Sequence, residues 1–258
     1  MSKEVISLNE MLELAMDIGE QMLVCGAEVY RVEDSLTRIF RAMGAERCDV
    51  FIITSSMVVT AHTPDGKAFT ETRRIKNTGT DYERLHRLND LSRRICSGDM
   101  SKEDITLELA RISAIASYPR WLISVCYAVI AGAFTLFFGG GIYEAIVSLL
   151  VGLAVSFSVM LCEKITKNKI FSKFISSSLA SALAVIALSL GAIATVDKVL
   201  IGNIMTLIPG IGITNALRDM FVGDSIAGIL RTTEALLSTV AIAAGYFAVI
   251  FVTGGVAI

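Results

Sequence analysis

One stretch of this chain sets polar and conformationally free residues inside an apolar segment: Asn203-Ile-Met-Thr-Leu-Ile-Pro-Gly-Ile-Gly-Ile-Thr-Asn-Ala-Leu-Arg-Asp219. Pro209 has no amide hydrogen and its ring clashes with the preceding turn, so a helix cannot run through it intact. Gly210 and Gly212 add backbone freedom. The carbonyls released near Thr206 and Ile208 then need partners, and Asn203, Thr206, Thr214 and Asn215 flank the break. A half-helix restarting near Ile213 would aim its free amides at the break and favour an anion there. In lipid, broken backbone is tolerated only where protein or a water-filled cavity satisfies it. Discontinuous helices of this kind build the sites of secondary transporters. The alternative is a proline kink filled by a neighbouring helix.

Charged residues follow the break. Arg218, Asp219 and Asp224 lie in a short polar link, and Arg231 and Glu234 stand i,i+3 inside the next apolar segment. Charge at membrane depth is costly and usually marks function. Arg231 suits a substrate carboxylate through paired N–H donors. Glu234 suits a proton-carrying carboxyl, its proton affinity raised by desolvation. Arg218 is the nearest second cation for a substrate with two anionic groups. The two residues of the i,i+3 pair could instead pair with each other or snorkel to the interface.

Other chemistry is not indicated. There is no P-loop, no GxGxxG and no GxSxG. His62 and His86 have no metal-ligand neighbour at helical spacing, so no metal site is expected. The five cysteines are widely spaced without a CxxC, which suggests reduced or buried thiols. No cofactor and no catalytic residue is assigned, and an enzyme is not expected. A net charge of −2 leaves no basic footprint for nucleic acid.

The elements that must position these residues divide by charge. Residues 1–120 hold 16 Lys+Arg and 19 Asp+Glu, while residues 121–258 hold only 7 and 6. Mean hydropathy is +0.64 over the whole chain. We therefore expect two domains, a polar one over 1–118 and a membrane domain over 119–258. The second should contain about five transmembrane helices: Trp121–Phe138, Ile142–Cys162, Phe174–Val196, Val199–Leu217 broken at Pro209-Gly210, and Ile226–Val252. Each is near the ~20 residues that cross a bilayer. Glu144 should be interfacial, and Ser176, Ser177, Ser178 and Ser181 should mark close helix packing. The loop Glu163–Lys173 carries four lysines and is expected in the cytoplasm. The polar domain then lies on the same side of the inner membrane and the C-terminus lies outside. The first ten residues lack a basic segment followed by an apolar run, so no secretory signal is expected.

Within 1–118 the pattern predicts α+β structure, with helices covering a small antiparallel meander. Ser7-Leu-Asn-Glu10 reads as a capping box before an amphipathic helix containing Leu8, Met11 and Leu12. A second helix runs from about Glu28 to Met43 and stops at Gly44. Strands follow at Cys48–Thr54, Met57–His62 and Ala68–Ile75, then helices at Tyr82–Cys96 and from Ser101. Glu28 and Arg31 read as a solvated i,i+3 ion pair.

Three blocks resemble the threonine/serine exporter family. They are Gly26-Ala-Glu-Val-Tyr-Arg-Val-Glu33 with Ala42-Met-Gly44; the meander with Arg73-Arg-Ile75 and the Leu85/Leu88/Leu91 helix; and Ile208–Asp219 with Gly223-Asp224, Gly228, Arg231 and Glu234. The resemblance runs from about residue 10 onward. It implies a cytoplasmic domain joined to a hydrophobic domain and export of small carboxylate-bearing metabolites, threonine or serine first, driven by the proton gradient. Full-length relatives carry a second hydrophobic unit. The resemblance is therefore to the split form, in which a separate small membrane protein supplies that unit and the relatives are linked to dicarboxylate (succinate) export. A homo-oligomer is the other way to complete a pathway. A membrane-anchored sensor or assembly protein is the reading from another class. Against it, anchoring does not need Pro209-Gly210 or charges in the last span.

Overall fold

The computed structural model describes residues 8–98, 100–166 and 168–254. Ser7 of the expected capping box and the side chains of Leu8 and Met11 lie outside the described residues. The chain forms two compact units: Met1–Ala116 with Thr214–Thr232, and Ser117–Ile213 with Thr233–Ile258.

The first unit begins with helices α1 (Leu8–Val24) and α2 (Val29–Ala42). Strands β1 (Arg47–Ile53), β2 (Ser56–His62) and β3 (Ala68–Arg74) follow, then α3 (Tyr82–Ser97) and α4 (Lys102–Ser113). The strands form an antiparallel meander in sequence order, with Phe51 opposite Val58 and Val59 opposite Glu71. Alternation along β2 turns Met57, Val59 and Ala61 inward. They meet the stripe Val29, Val32, Leu36, Ile39 and Phe40 of α2, and Leu88 and Leu91 of α3. Ser101 caps α4 in a reciprocal box with Asp104. The expected α+β order therefore holds, with boundaries moved by a residue or two.

The second unit contains α5 (Arg120–Phe137), α6 (Ile142–Thr166), α7 (Lys169–Ser189) and α8 (Val196–Ile204). It also takes the start of α9 (Gly210–Val222) and most of α10 (Ser225–Val252). Among the described residues four helices, α5, α6, α7 and α10, are long and apolar enough to cross a membrane. About five spans are expected, the fourth broken at Pro209-Gly210; that fourth segment is two short helices of 9 and 13 residues and is not among these four. Pro209 separates them, its carbonyl accepting the Ile213 amide to start α9. The third span is displaced too. The Asn168 side chain accepts from the Ile170 and Phe171 amides and starts α7 early, and Gly191 at φ +71° ends it before Val196. Lys169 and Lys173 thus belong to a helix, not to a loop.

Small residues let the helices of this unit approach. A Cβ on Gly202 of α8 would lie 2.6 Å from the Ala131 carbonyl oxygen, and one on Gly152 of α6 would lie 2.9 Å from Ala128 Cα. Ser177 donates to the Ile242 carbonyl and Ser178 to that of Gly245, so these serines join helices as expected. Glu144, in the first turn of α6 near the end of the span as expected, is buried within the protein. Its Oε1 accepts the Ala194 amide at 3.0 Å, which fixes the approach to α8.

Candidate functional site

The site is built in the first unit from two turns. The first is Val24–Ala27, where α1 gives way to α2. Gly26 has φ +93°, and a Cβ there would lie 2.7 Å from the Gly79 carbonyl oxygen. Only glycine meets both conditions. The Gly79 and Asp81 amides donate back to the carbonyls of Val24 and Cys25. The turn is thereby pinned, with the Ala27 carbonyl and Glu28 at its end. The second turn joins α9 to α10. Gly223 at φ +108° reverses the chain, and the Asp224 amide donates to the Asp219 carbonyl. A Cβ on Gly228 would lie 2.9 Å from the Ala216 carbonyl oxygen, so the hairpin closes tightly.

Charged groups meet where these turns meet. Arg231 Nη2 donates to the Ala27 carbonyl at 2.9 Å, and Arg231 Nε lies 3.4 Å from Asp219 Oδ2. Asp219 is wholly buried. Arg218 Nη1 donates to Glu28 Oε1, and Arg31 Nη1 stands 3.6 Å from Glu28 Oε2. The carboxylate of Glu28 is thus held between two half-exposed guanidinium groups while its own side chain is buried. Asn215 Nδ2 reaches towards the Gly26 carbonyl at 3.5 Å.

Five expected site residues therefore come together: Asn215, Arg218, Asp219, Asp224 and Arg231. Of the other six, Asn203, Thr206, Pro209, Gly210 and Glu234 belong to the second unit and Thr214 to the first. Asn203 is fully buried in the second unit, where its Nδ2 donates to the Val199 carbonyl and its Oδ1 has no hydrogen-bond partner. Thr206 Oγ1 donates to the Asn203 carbonyl at 2.7 Å, which also accepts the Thr206 amide. Pro209 and Gly210 form that break. Thr214 and Glu234 are exposed. Arg231 and Glu234 do not pair: the guanidinium turns to Asp219 across the hairpin instead.

Sequence reasoning missed Glu28 and Glu33. Glu28 is not a solvated partner of Arg31 but a buried carboxylate shared with Arg218. Glu33 Oε1 accepts the Ile52 amide at 3.0 Å, tying α2 to β1. Both lie in the block Gly26–Glu33 that carries the resemblance, and that was the signal available. Among the described residues no group of three or more His, Cys, Asp or Glu side chains is arranged to hold a metal ion.

The start of α2, bearing the Glu28 carboxylate, is thus packed on a hairpin bearing two arginines. A family model described as "Putative threonine/serine exporter" matches residues 13–253. The chain belongs to this threonine/serine exporter family, a family of transporters rather than enzymes. It is 24% identical over 236 residues to the "Probable succinate transporter subunit YjjP" of Klebsiella aerogenes, covering 90% of each chain. It is 23% identical over 235 residues to the protein of the same name in Escherichia coli, again 90% of each. It is 24% identical over 238 residues to the "Probable threonine/serine exporter" of Mycobacterium tuberculosis, covering 92% of this chain but 45% of that protein. No solved structure matches the chain significantly.

Proposed function

We propose that this chain is a subunit of a secondary transporter that exports small carboxylate-bearing metabolites, threonine or serine first, coupled to the proton gradient. The observation that carries the reading is the pair Arg218 and Arg231 on one hairpin, each already holding a carboxylate, of Glu28 and of Asp219. A substrate carboxylate asks for the same donors. Asn203, Thr206, Pro209, Gly210, Thr214 and Asn215 would line the path around the break. Asp219, Asp224 and Glu234 would carry compensating charge or protons.

The polar domain (1–118) is placed in the cytoplasm and the membrane domain (119–258) in the inner membrane. Helices α8 and α9 cross as one broken span, so α10 starts on the cytoplasmic side and the C-terminus lies outside. Membership of residues 214–232 in the same unit as the polar domain supports this parity.

A second reading is favoured by the relatives named as succinate transporter subunits, which this chain matches over 90% of their length. Here the substrate is a dicarboxylate, Arg218 and Arg231 take one carboxylate each, and a separate small membrane protein supplies the second hydrophobic unit. The mycobacterial relative, of which this chain spans 45%, supports the split arrangement.

Efflux of preloaded labelled threonine and succinate, from cells making the chain alone and with a candidate partner, tests both readings. Efflux from the chain alone means a complete pathway formed by its own copies. Efflux only with the partner means a split transporter. Neither substrate leaving, with both proteins in the membrane, sinks the transport reading in favour of a sensor or assembly role.

A further inference from the structure

The start of α7 brings a half-buried lysine beside a hydroxyl without a partner. Lys169 and Lys173 stand at i,i+4 and continue, at the spacing of one helix face, the buried stripe of Ser176, Ala180 and Ala184. Like charges so placed repel each other. Among the described residues half-buried Lys173 has no acidic partner; the ion pair of this unit is Asp197 with Lys198, beyond the other end of α7. Ser172 lies between the two lysines. It is buried, and its Oγ has no hydrogen-bond partner. A serine inside a helix commonly returns its hydroxyl to the carbonyl one turn back, and Ser178, Ser181 and Ser189 of this helix do so. Ser172 does not, and buried polar groups left unpaired are rare. The first amides of α7 are already taken by the Asn168 side chain, so a ligand here is met by side chains and not by the helix start.

This end of the second unit is also a basic rim. Ser124 Oγ of α5 meets Ser156 Oγ of α6 at 2.9 Å, and Ser158 Oγ of α6 meets Ser176 Oγ of α7 at 3.1 Å. The two contacts fix the register of three antiparallel neighbours, so the start of α5, the end of α6 and the start of α7 share one level. Arg120 and Lys164 join the lysines there, with Glu163 as the acid among them. Trp121, Ile165 and Phe171 are exposed beside them. Cations, aromatic rings and open apolar side chains at one level suit the boundary between headgroups and acyl chains.

We propose that the start of α7 is a binding site for an anionic phospholipid, whose headgroup phosphate accepts from the Ser172 hydroxyl and lies against Lys169 and Lys173. The phosphate supplies the acceptor that the hydroxyl lacks, and its charge relieves the repulsion between the two lysines. Basic pockets between membrane helices take such headgroups. A zwitterionic headgroup brings its own cation to the same place and forfeits that gain. Free phosphate offers the same oxygens but no chains to lie on Trp121, Ile165 and Phe171. Lys164 lies on the side of α6 opposite the buried Val155, so it adds to the field of the rim and not to the site. The site rests on the membrane placement of α5 to α7; only its leaflet, and not its existence, depends on the export reading above.

The test uses the full chain purified in a maltoside detergent. Native mass spectra and melting temperatures are recorded with added phosphatidylglycerol, with phosphatidylcholine and with inorganic phosphate. Phosphatidylglycerol should stay bound and raise the melting temperature, and the other two should do neither. Ser172→Ala should weaken phosphatidylglycerol retention severalfold and leave the lipid-free melting temperature unchanged, because this Oγ holds nothing in the protein. A merely structural hydroxyl gives the reverse. Lys173→Gln should weaken retention at least as much, and Lys164→Gln should leave it nearly intact. Equal retention of the two lipids overturns the site, as does retention unmoved by Ser172→Ala and Lys173→Gln. An equal loss in Lys164→Gln means a diffuse basic rim and overturns it too. Protection by inorganic phosphate equal to that by phosphatidylglycerol means a free-anion site and overturns the lipid. Should Lys173→Gln fail to fold, Ser172→Ala set against Lys164→Gln decides.

Discussion

Arg231 and Asp219 form an ion pair across the α9–α10 hairpin, 3.4 Å from Nε to Oδ2, with the carboxylate excluded from solvent. A buried pair contributes little net stability compared with apolar residues of the same shape, because both ions lose their water. Breaking it from one side is another matter, since the remaining charge stays buried.

Arg231→Ala should therefore lower the stability of the first unit by about 3–5 kcal/mol, while Arg231→Met combined with Asp219→Leu should recover most of that loss. Thermal unfolding of the full chain in detergent measures both. Efflux should be lost in both, because the carboxylate-binding cation is absent from each.

Gly26→Ala should cost about 1–3 kcal/mol, because the position combines φ +93° with a Cβ 2.7 Å from the Gly79 carbonyl oxygen. The turn that presents Ala27 and Glu28 would shift, so transport should fall more than stability does. Gly44→Ala, also at positive φ but with nothing within 4 Å, should show the backbone cost alone. Melting temperatures and efflux for the two variants make the comparison.

The titration of Glu33 predicts a pH dependence with a definite sign. Its proton is held to about 7 in the folded chain, against 4.5 ordinarily. Between those values the folded state binds more protons than the unfolded one, so stability falls as pH rises, and it levels off above the upper value. Glu33→Gln should flatten that slope. Melting temperatures measured at about pH 5, 6 and 7.5 should converge in the variant and descend in the wild type.

Gly228→Leu should open the hairpin, because even a Cβ at this position would lie 2.4 Å from Met220 Cγ and 2.9 Å from the Ala216 carbonyl oxygen. Overpacking of this kind costs about 1–3 kcal/mol. Protease cutting near Gly223 should become faster in the variant than in the wild type.

Much of this was legible in the residues. β-Branched composition located the strand at Met57–His62, and Pro209 located the break because it lacks the amide donor a continuous helix needs. What escaped reading depended on partners distant in sequence. Glu28 looked solvated because its i,i+3 neighbour is Arg31, whereas its burial comes from a hairpin some 190 residues further on. Helical spacing drew attention to Arg231 with Glu234, and the partner chosen, Asp219, lies across a reversal at Gly223. The displaced start of α7 turned on a single cap, Asn168, hidden among lysines that read as a loop.

The first unit is completed by residues made late, 214–232. The contacts of Arg218 with Glu28 and of Arg231 with Ala27 span 190 and 204 residues. During synthesis residues 24–31 are therefore made long before their hairpin partners, and α5 to α8 are made in between.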